Sequence, residues 1–239
     1  MRFKRLLIWV ILISLVLVSA GCKKEEQKNI TIPKEDLVQK VDYKPEYGGQ
    51  LILPLTSLDT LNPLVSENRT YYHFSKLIFE GLFELDKDLN AIGILVDSHT
   101  VEEDGTVKIQ LKDGVYWHDG MELTTADVAF TIETIKYAGK DNVHNKLWQD
   151  ALGAFQPYNM NRIIRVDVID DRNMDIIFDR NYGQCLELLT FPIIPKHRFA
   201  QGIEGRRSYE MALSKEEYNP IGTGPYKFKD HEKNREVKL

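Results

Sequence analysis

Apolar residues recur along this chain in two rhythms, and the switches between them mark out its elements. Between Tyr71 and Leu82, the residues Phe74, Leu77, Ile78 and Leu82 fall three and four apart, the spacing that turns one face of a helix to a core. From Ile92 to Leu111 the rhythm becomes two: Val107, Ile109 and Leu111 alternate with Lys108, Gln110 and Lys112, and Glu103-Asp104-Gly105 predicts a hairpin turn. The helical spacing returns at Val128, Ile132 and Ile135. Thr124 is placed to cap that helix, with Asp127 as capping partner and first-turn anion, and Gly139 is the predicted stop, which gives a helix over 125–138. Farther on, Ile164, Val166 and Val168 alternate with Arg165, Asp167 and Ile169. A turn over Asp170 to Asn173 and the row Met174, Ile176, Phe178 then complete a second hairpin, read as a second sheet element. Shorter runs predict a strand at Gln50 to Leu55, a short helix near Cys185 to Thr190, and a terminal hairpin carrying Tyr226, Phe228, Val237 and Leu239.

An apolar run of another kind opens the chain. Arg2, Lys4 and Arg5 precede Leu6 to Val18, which only Ser14 interrupts, and the small residues Ser19-Ala20-Gly21 follow. This is the layout of an export signal over residues 1–21, and the run is short for a bilayer span. Cys22 comes directly after it, and LVSAGC is similar to a bacterial lipobox, with Ser19 where an aliphatic residue is commoner. That similarity implies a lipidated Cys22 as the mature N-terminus, tethered to a membrane by acyl chains without spanning it. Residues 22–46 are polar and charged without sustained periodicity, the composition of a disordered tether.

Composition narrows the class further. With 239 residues, 43% hydrophobic and 28% charged, the chain is long enough for one or two domains with a real core. The net charge is −5, and −8 without Arg2, Lys4 and Arg5, which argues against a nucleic-acid partner held by phosphate contacts. Cys185 lies in the apolar segment GQCLELLTF, reads as a buried small hydrophobe, and has no cysteine left to pair with if Cys22 is lipidated. No HExxH, Cys-x-x-Cys or GxSxG pattern occurs, and the pairs Glu102-Glu103 and Asp170-Asp171 sit at predicted turns. We therefore expect no enzyme, no metal site and no cofactor.

Specific wording then takes over from rhythm. The stretch Gly114 to Phe130, GVYWHDGMELTTADVAF, resembles the signature of the extracellular solute-binding proteins of family 5, the oligopeptide, dipeptide and nickel receptors of ABC importers. Its signature positions here are Trp117, His118, Asp119, Gly120 and Asp127. Supporting phrases follow in the family's order: Leu61-Asn62-Pro63, then FEGL at Phe79 to Leu82, FPIIPKHRF from Phe191, and Gly222, Thr223, Gly224, Pro225 and Tyr226 as GTGPY. The lead-in ILVDSHTV departs from the family pattern by lacking its tryptophan. His118 is expected to hydrogen-bond inside the Asp-Gly turn. The glycines of GTGPY are read as permitting a tight bend, since no lysine and hydroxyl follow them in phosphate-loop order.

The resemblance implies a mixed α/β fold, the first lobe of a type II periplasmic-binding-protein-like two-lobed fold. Residues 47–85 with 219–239 would form its main sheet subdomain and 86–218 an inserted smaller one. The second lobe is absent from the sequence, so a truncated copy with impaired binding is expected; a remnant without transport function is the alternative. By the same resemblance, Glu67, Asn68 and Arg69 line the ligand cleft. The implied partners are a peptide ligand, the permease subunits of an ABC transporter, and the membrane through Cys22; nickel complexes, haem or saccharides are alternative ligands. The implied location is the cell membrane, facing the periplasm or the exterior.

Overall fold

The computed structural model describes residues 48–56, 58–66, 68–140, 162–200, 202–203, 205–214, 218–233 and 235–239. The export signal, Cys22, the tether and Glu67 lie outside the described residues. The chain divides into units 1–51 and 52–239, and every element below belongs to the second. Its centre is a four-stranded antiparallel sheet in the order β3-β4-β6-β5, made of β3 (Val96–Val101), β4 (Thr106–Leu111), β5 (Ile163–Val168) and β6 (Asn173–Phe178). The register pairs Val107 with Ile176 and Ile109 with Met174, which sets the apolar rows of the two central strands side by side. Over that face lies the core shared with helix α2 (Thr125–Lys140), whose Val128, Ile132 and Ile135 are fully buried. The two predicted hairpins are therefore one sheet rather than two. Each has a single apolar face, and joining β4 to β6 buries both under one helix.

Three local expectations change. On β5 Ile163 is buried and Ile164 is 53% exposed, because a bulge between Ile163 and Arg165 shifts the alternation; Val166 packs against the core, and Val168, the last residue of this edge strand, is 48% exposed. Helix α2 runs through Gly139 to Lys140, since glycine inside a helix costs only about 1 kcal/mol and does not stop it unaided. Gln50 to Leu55 is not a strand: Ile52 is 79% exposed, and no described residue offers the ladder that would hold the run extended.

The first helix, α1 (Arg69–Ser75), is shorter than the predicted 71–82. The main-chain N–H groups of Tyr226 and Gly224 donate to the carbonyls of Leu77 (2.9 Å) and Ile78 (2.8 Å), so the chain after Ser75 is held by the GTGPY segment instead of by a continuing helix. Past α1, strands β1 (Phe83–Leu85) and β2 (Ala91–Gly93) make a separate ribbon, and β7 (Asp230–Glu232) pairs only with β8 (Glu236–Lys238). The single sheet expected from 47–85 and 219–239 is thus not formed among the described residues. Those segments meet in a small apolar cluster in which Phe228, Val237 and Leu239 pack against Leu61, Tyr71, Phe74, Ile78 and Phe79. The proposed boundary at 85/86 runs through the β1–β2 hairpin, and Leu64, Val65, Leu82 and Phe83 share the large core with the sheet. A 3-10 turn (Glu187–Leu189), α3 (Lys196–Phe199) and α4 (Arg206–Ala212) complete the fold.

Candidate functional site

The segment that leads into α1 is fixed from both ends. Asn62 is buried, and its amide donates to the carbonyls of Ala212 (2.8 Å) and Ser214 (3.0 Å) while its Oδ1 accepts from the Leu64 N–H (3.1 Å). Six residues on, Asn68 is the N-cap of α1: Oδ1 accepts from the N–H groups of Thr70 (2.9 Å) and Tyr71 (3.0 Å), and Nδ2 donates to the Thr56 hydroxyl (2.9 Å). Asn68 is thereby committed to setting the backbone of its own segment, and Arg69 opens the helix. The role of Asn62 was not visible in the sequence beyond its place in the LNP phrase, because its partners lie 150 and 152 residues away.

The signature turn is bound to distant chain as well. Gly120 takes a left-handed φ of 89°, as the Asp-Gly turn requires, and its N–H donates to the Trp117 carbonyl (2.8 Å). His118 bonds outside that turn, contrary to expectation. Its Nδ1 accepts from the Gly222 N–H (3.3 Å), its Nε2 lies 2.8 Å from the Gly224 carbonyl, and its own N–H donates to the Gly222 carbonyl (2.9 Å). Lys227 Nζ adds a bond to the His118 carbonyl (2.7 Å). The GTGPY glycines also have a reason beyond the predicted bend. Neither has a left-handed φ, but a Cβ on Gly222 would sit 1.8 Å from the Ile78 carbonyl oxygen, and one on Gly224 would sit 2.7 Å from the Ile78 carbonyl carbon. The chain does bend over 223–226, and what requires glycine at 222 and 224 is the close approach of two backbones.

Asp127 joins two phrases. Its Oδ2 accepts from the Thr124 N–H (2.9 Å) and the Trp117 indole (3.4 Å), and its Oδ1 accepts from the Lys196 N–H (2.7 Å) of the PKH phrase. Burial raises its pKa above the ordinary carboxylate value, against the pull of those hydrogen bonds. Asp119 is held lower than usual: burial opposes this, but the bonds from His197 (2.8 Å) and the Met121 N–H (3.2 Å) prevail. Cys185 is buried, accepts from the Tyr182 N–H (3.3 Å), and has its thiol pushed up by burial, the setting of an inert packing residue. A groove of about 500 Å³ flanks the end of α1, lined by Tyr72, Lys76, Phe79, Glu80, Phe83 and Glu187 among others. Among the described residues no cluster of His, Cys, Asp and Glu is arranged to hold a metal.

These features belong to the class of type II periplasmic binding proteins, the two-lobed receptors. The structure is similar to NikZ from Campylobacter jejuni, solved with Ni(L-His), at 27% identity and a TM-score of 0.58, covering 77% of this chain and 33% of that one. It shares its fold with the oligopeptide-binding protein AppA from Bacillus subtilis, solved with a nonapeptide, at 21% identity and a TM-score of 0.60, over 77% of this chain and 34% of that one. Residues 90–239 match the family described as bacterial extracellular solute-binding proteins, family 5 Middle, and the chain belongs to that family. Curated relatives include the glutathione-binding protein GsiB of Salmonella typhi, 25% identical over 186 residues, which are 77% of this chain and 32% of that protein. GsiB of Escherichia coli O157:H7 is 23% identical over 173 residues, 72% of this chain and 30% of that protein. The chain thus spans about a third of the length of the curated relatives it matches, and these are solute-binding transport proteins rather than enzymes.

Proposed function

We propose that this chain supplies the first lobe of a substrate-binding lipoprotein of an ABC importer, which captures peptides outside the membrane and delivers them to the permease. The observation that carries this reading is the family match over residues 90–239. Peptide is the favoured ligand because two relatives of this chain are described by peptidic ligands, glutathione and a nonapeptide. An extended peptide is best met by main-chain groups and wet pockets, which tolerate many side chains. Glu67, Asn68 and Arg69 form one wall of the cleft in this reading, with Asn68 holding the wall's backbone through its cap on α1. Cys22 carries the lipid anchor.

Two-lobed receptors gain affinity by closing on the ligand, so one wall binds weakly without its counterpart. Titrating a mixed peptide pool into the purified chain, followed by calorimetry and by NMR of the amides of 68–76, tests this. Millimolar peptide is expected to shift those amides. Unmoved amides at saturation reject the peptide reading, and a micromolar dissociation constant rejects the impaired single wall. For the anchor, mass spectrometry of the membrane-extracted chain should show a lipid adduct that Cys22→Ser abolishes; an unchanged adduct places the anchor elsewhere.

A further inference from the structure

We infer that His118 is a positioning residue for the ligand-facing segment at the start of α1, acting through the GTGPY backbone and the end of that helix. The inference rests on the reading of 67–69 as a cleft wall, and it is carried by a continuous series of short contacts. The Gly222 N–H can only donate, so its 3.3 Å contact makes His118 Nδ1 the acceptor and leaves the ring proton on Nε2, which donates to the Gly224 carbonyl at 2.8 Å. One imidazole thereby fixes the two glycines on both of its edges. Those glycines lie against Ile78 so closely that a side-chain carbon has no room, and the N–H groups of Gly224 and Tyr226 bond the carbonyls of Ile78 (2.8 Å) and Leu77 (2.9 Å). Leu77 and Ile78 follow the Lys76 cap of α1, and their N–H groups bond back to the helix's last carbonyls, those of Phe74 (3.0 Å) and Ser75 (2.9 Å). The helix has seven residues, about 10 Å at 1.5 Å each, and at its other end stands the cap residue Asn68. A hydrogen-bonded helix is stiff over that length, so displacement of the GTGPY segment is passed to the cap rather than absorbed.

The sequence position of His118, some fifty residues after Asn68, gives no hint of this role. Two variants separate positioning from plain stability. His118→Leu keeps bulk and removes both ring hydrogen bonds; His118→Gln restores one acceptor and one donor on a similar reach. Hydrogen-exchange mass spectrometry on the full chain is expected to show exchange about tenfold faster or more in His118→Leu for segments 222–228 and 70–79. The sheet segments 106–111 and 173–178 are expected to stay within about twofold, and His118→Gln to recover most of the protection. In the unmodified chain, nitrogen NMR of His118 is expected to show a proton on Nε2 and none on Nδ1. Equal acceleration in the sheet segments would mean that His118 merely stabilises the lobe and would overturn the inference. So would acceleration that stops at 222–228, a glutamine that rescues nothing, or a protonated Nδ1. The peptide titration above is a separate measurement: if peptide leaves 68–76 unmoved, the ligand reading falls, while the relay from His118 is judged by the exchange pattern.

Discussion

Replacing Asp127 by asparagine keeps the shape of a buried side chain and removes one acceptor from a site that uses both. The carboxylate serves the Lys196 N–H with Oδ1 and the Thr124 N–H and Trp117 indole with Oδ2. An asparagine oxygen turned toward Thr124 and Trp117 presents its NH₂ to the Lys196 N–H, and one buried donor unmet costs about 1–3 kcal/mol. Asp127→Ala strands the three N–H donors and is expected to cost about 3–5 kcal/mol, a large part of a domain's typical stability. The pH dependence has a defined sign. Burial raises the folded pKa of Asp127 above its ordinary 3.8, so in the window between the two values the native state holds a proton that the unfolded chain has released. Stability from this group therefore falls as pH rises through the window and returns as pH falls. Asp119, whose folded pKa is lowered, acts in the opposite sense, but it is common to wild type and variant and cancels in their difference. Urea unfolding of both proteins over a pH series measures that difference. Wild type should be more stable throughout, with its margin over Asp127→Asn widening on acidification. A margin that narrows, or a variant as stable as wild type, refutes the reasoning.

Three further outcomes are expected. Gly222→Ala should destabilise the lobe by about 3 kcal/mol or more in the same assay, from overpacking and lost hydrogen bonds against Ile78 and His118. Gly114→Ala, at a φ of 66° in open space, should cost only about 1 kcal/mol; similar losses for the two would contradict the close-approach explanation. Leu89 is 71% exposed and holds a left-handed φ of 65° in the β1–β2 turn, so Leu89→Gly should raise stability by about 0.5–1 kcal/mol in thermal unfolding, and a loss would show that the side chain matters. Ile132→Ala should cost about 2–5 kcal/mol and Ile164→Ala under about 0.5 kcal/mol. Equal costs would mean that the bulge on β5 is misplaced.

What the sequence settled by itself was local. The rows Val107, Ile109, Leu111 and Met174, Ile176, Phe178, and the helical stripe Val128, Ile132, Ile135, needed only periodicity, because burial of one face follows from side-chain direction whatever lies opposite. The phrases around Trp117 and Gly222 likewise sufficed for the family. Where a helix ends, which strands are neighbours and what a histidine holds depend on groups brought in from elsewhere. Gly224 bonds the Ile78 carbonyl just beyond the end of α1, the two hairpins fuse because β4 finds β6, and His118 spans 104 and 106 residues to reach its partners. Hydrogen bonds and close contacts act over a few ångströms of space and carry no record of separation along the chain, so only the tertiary structure decides them.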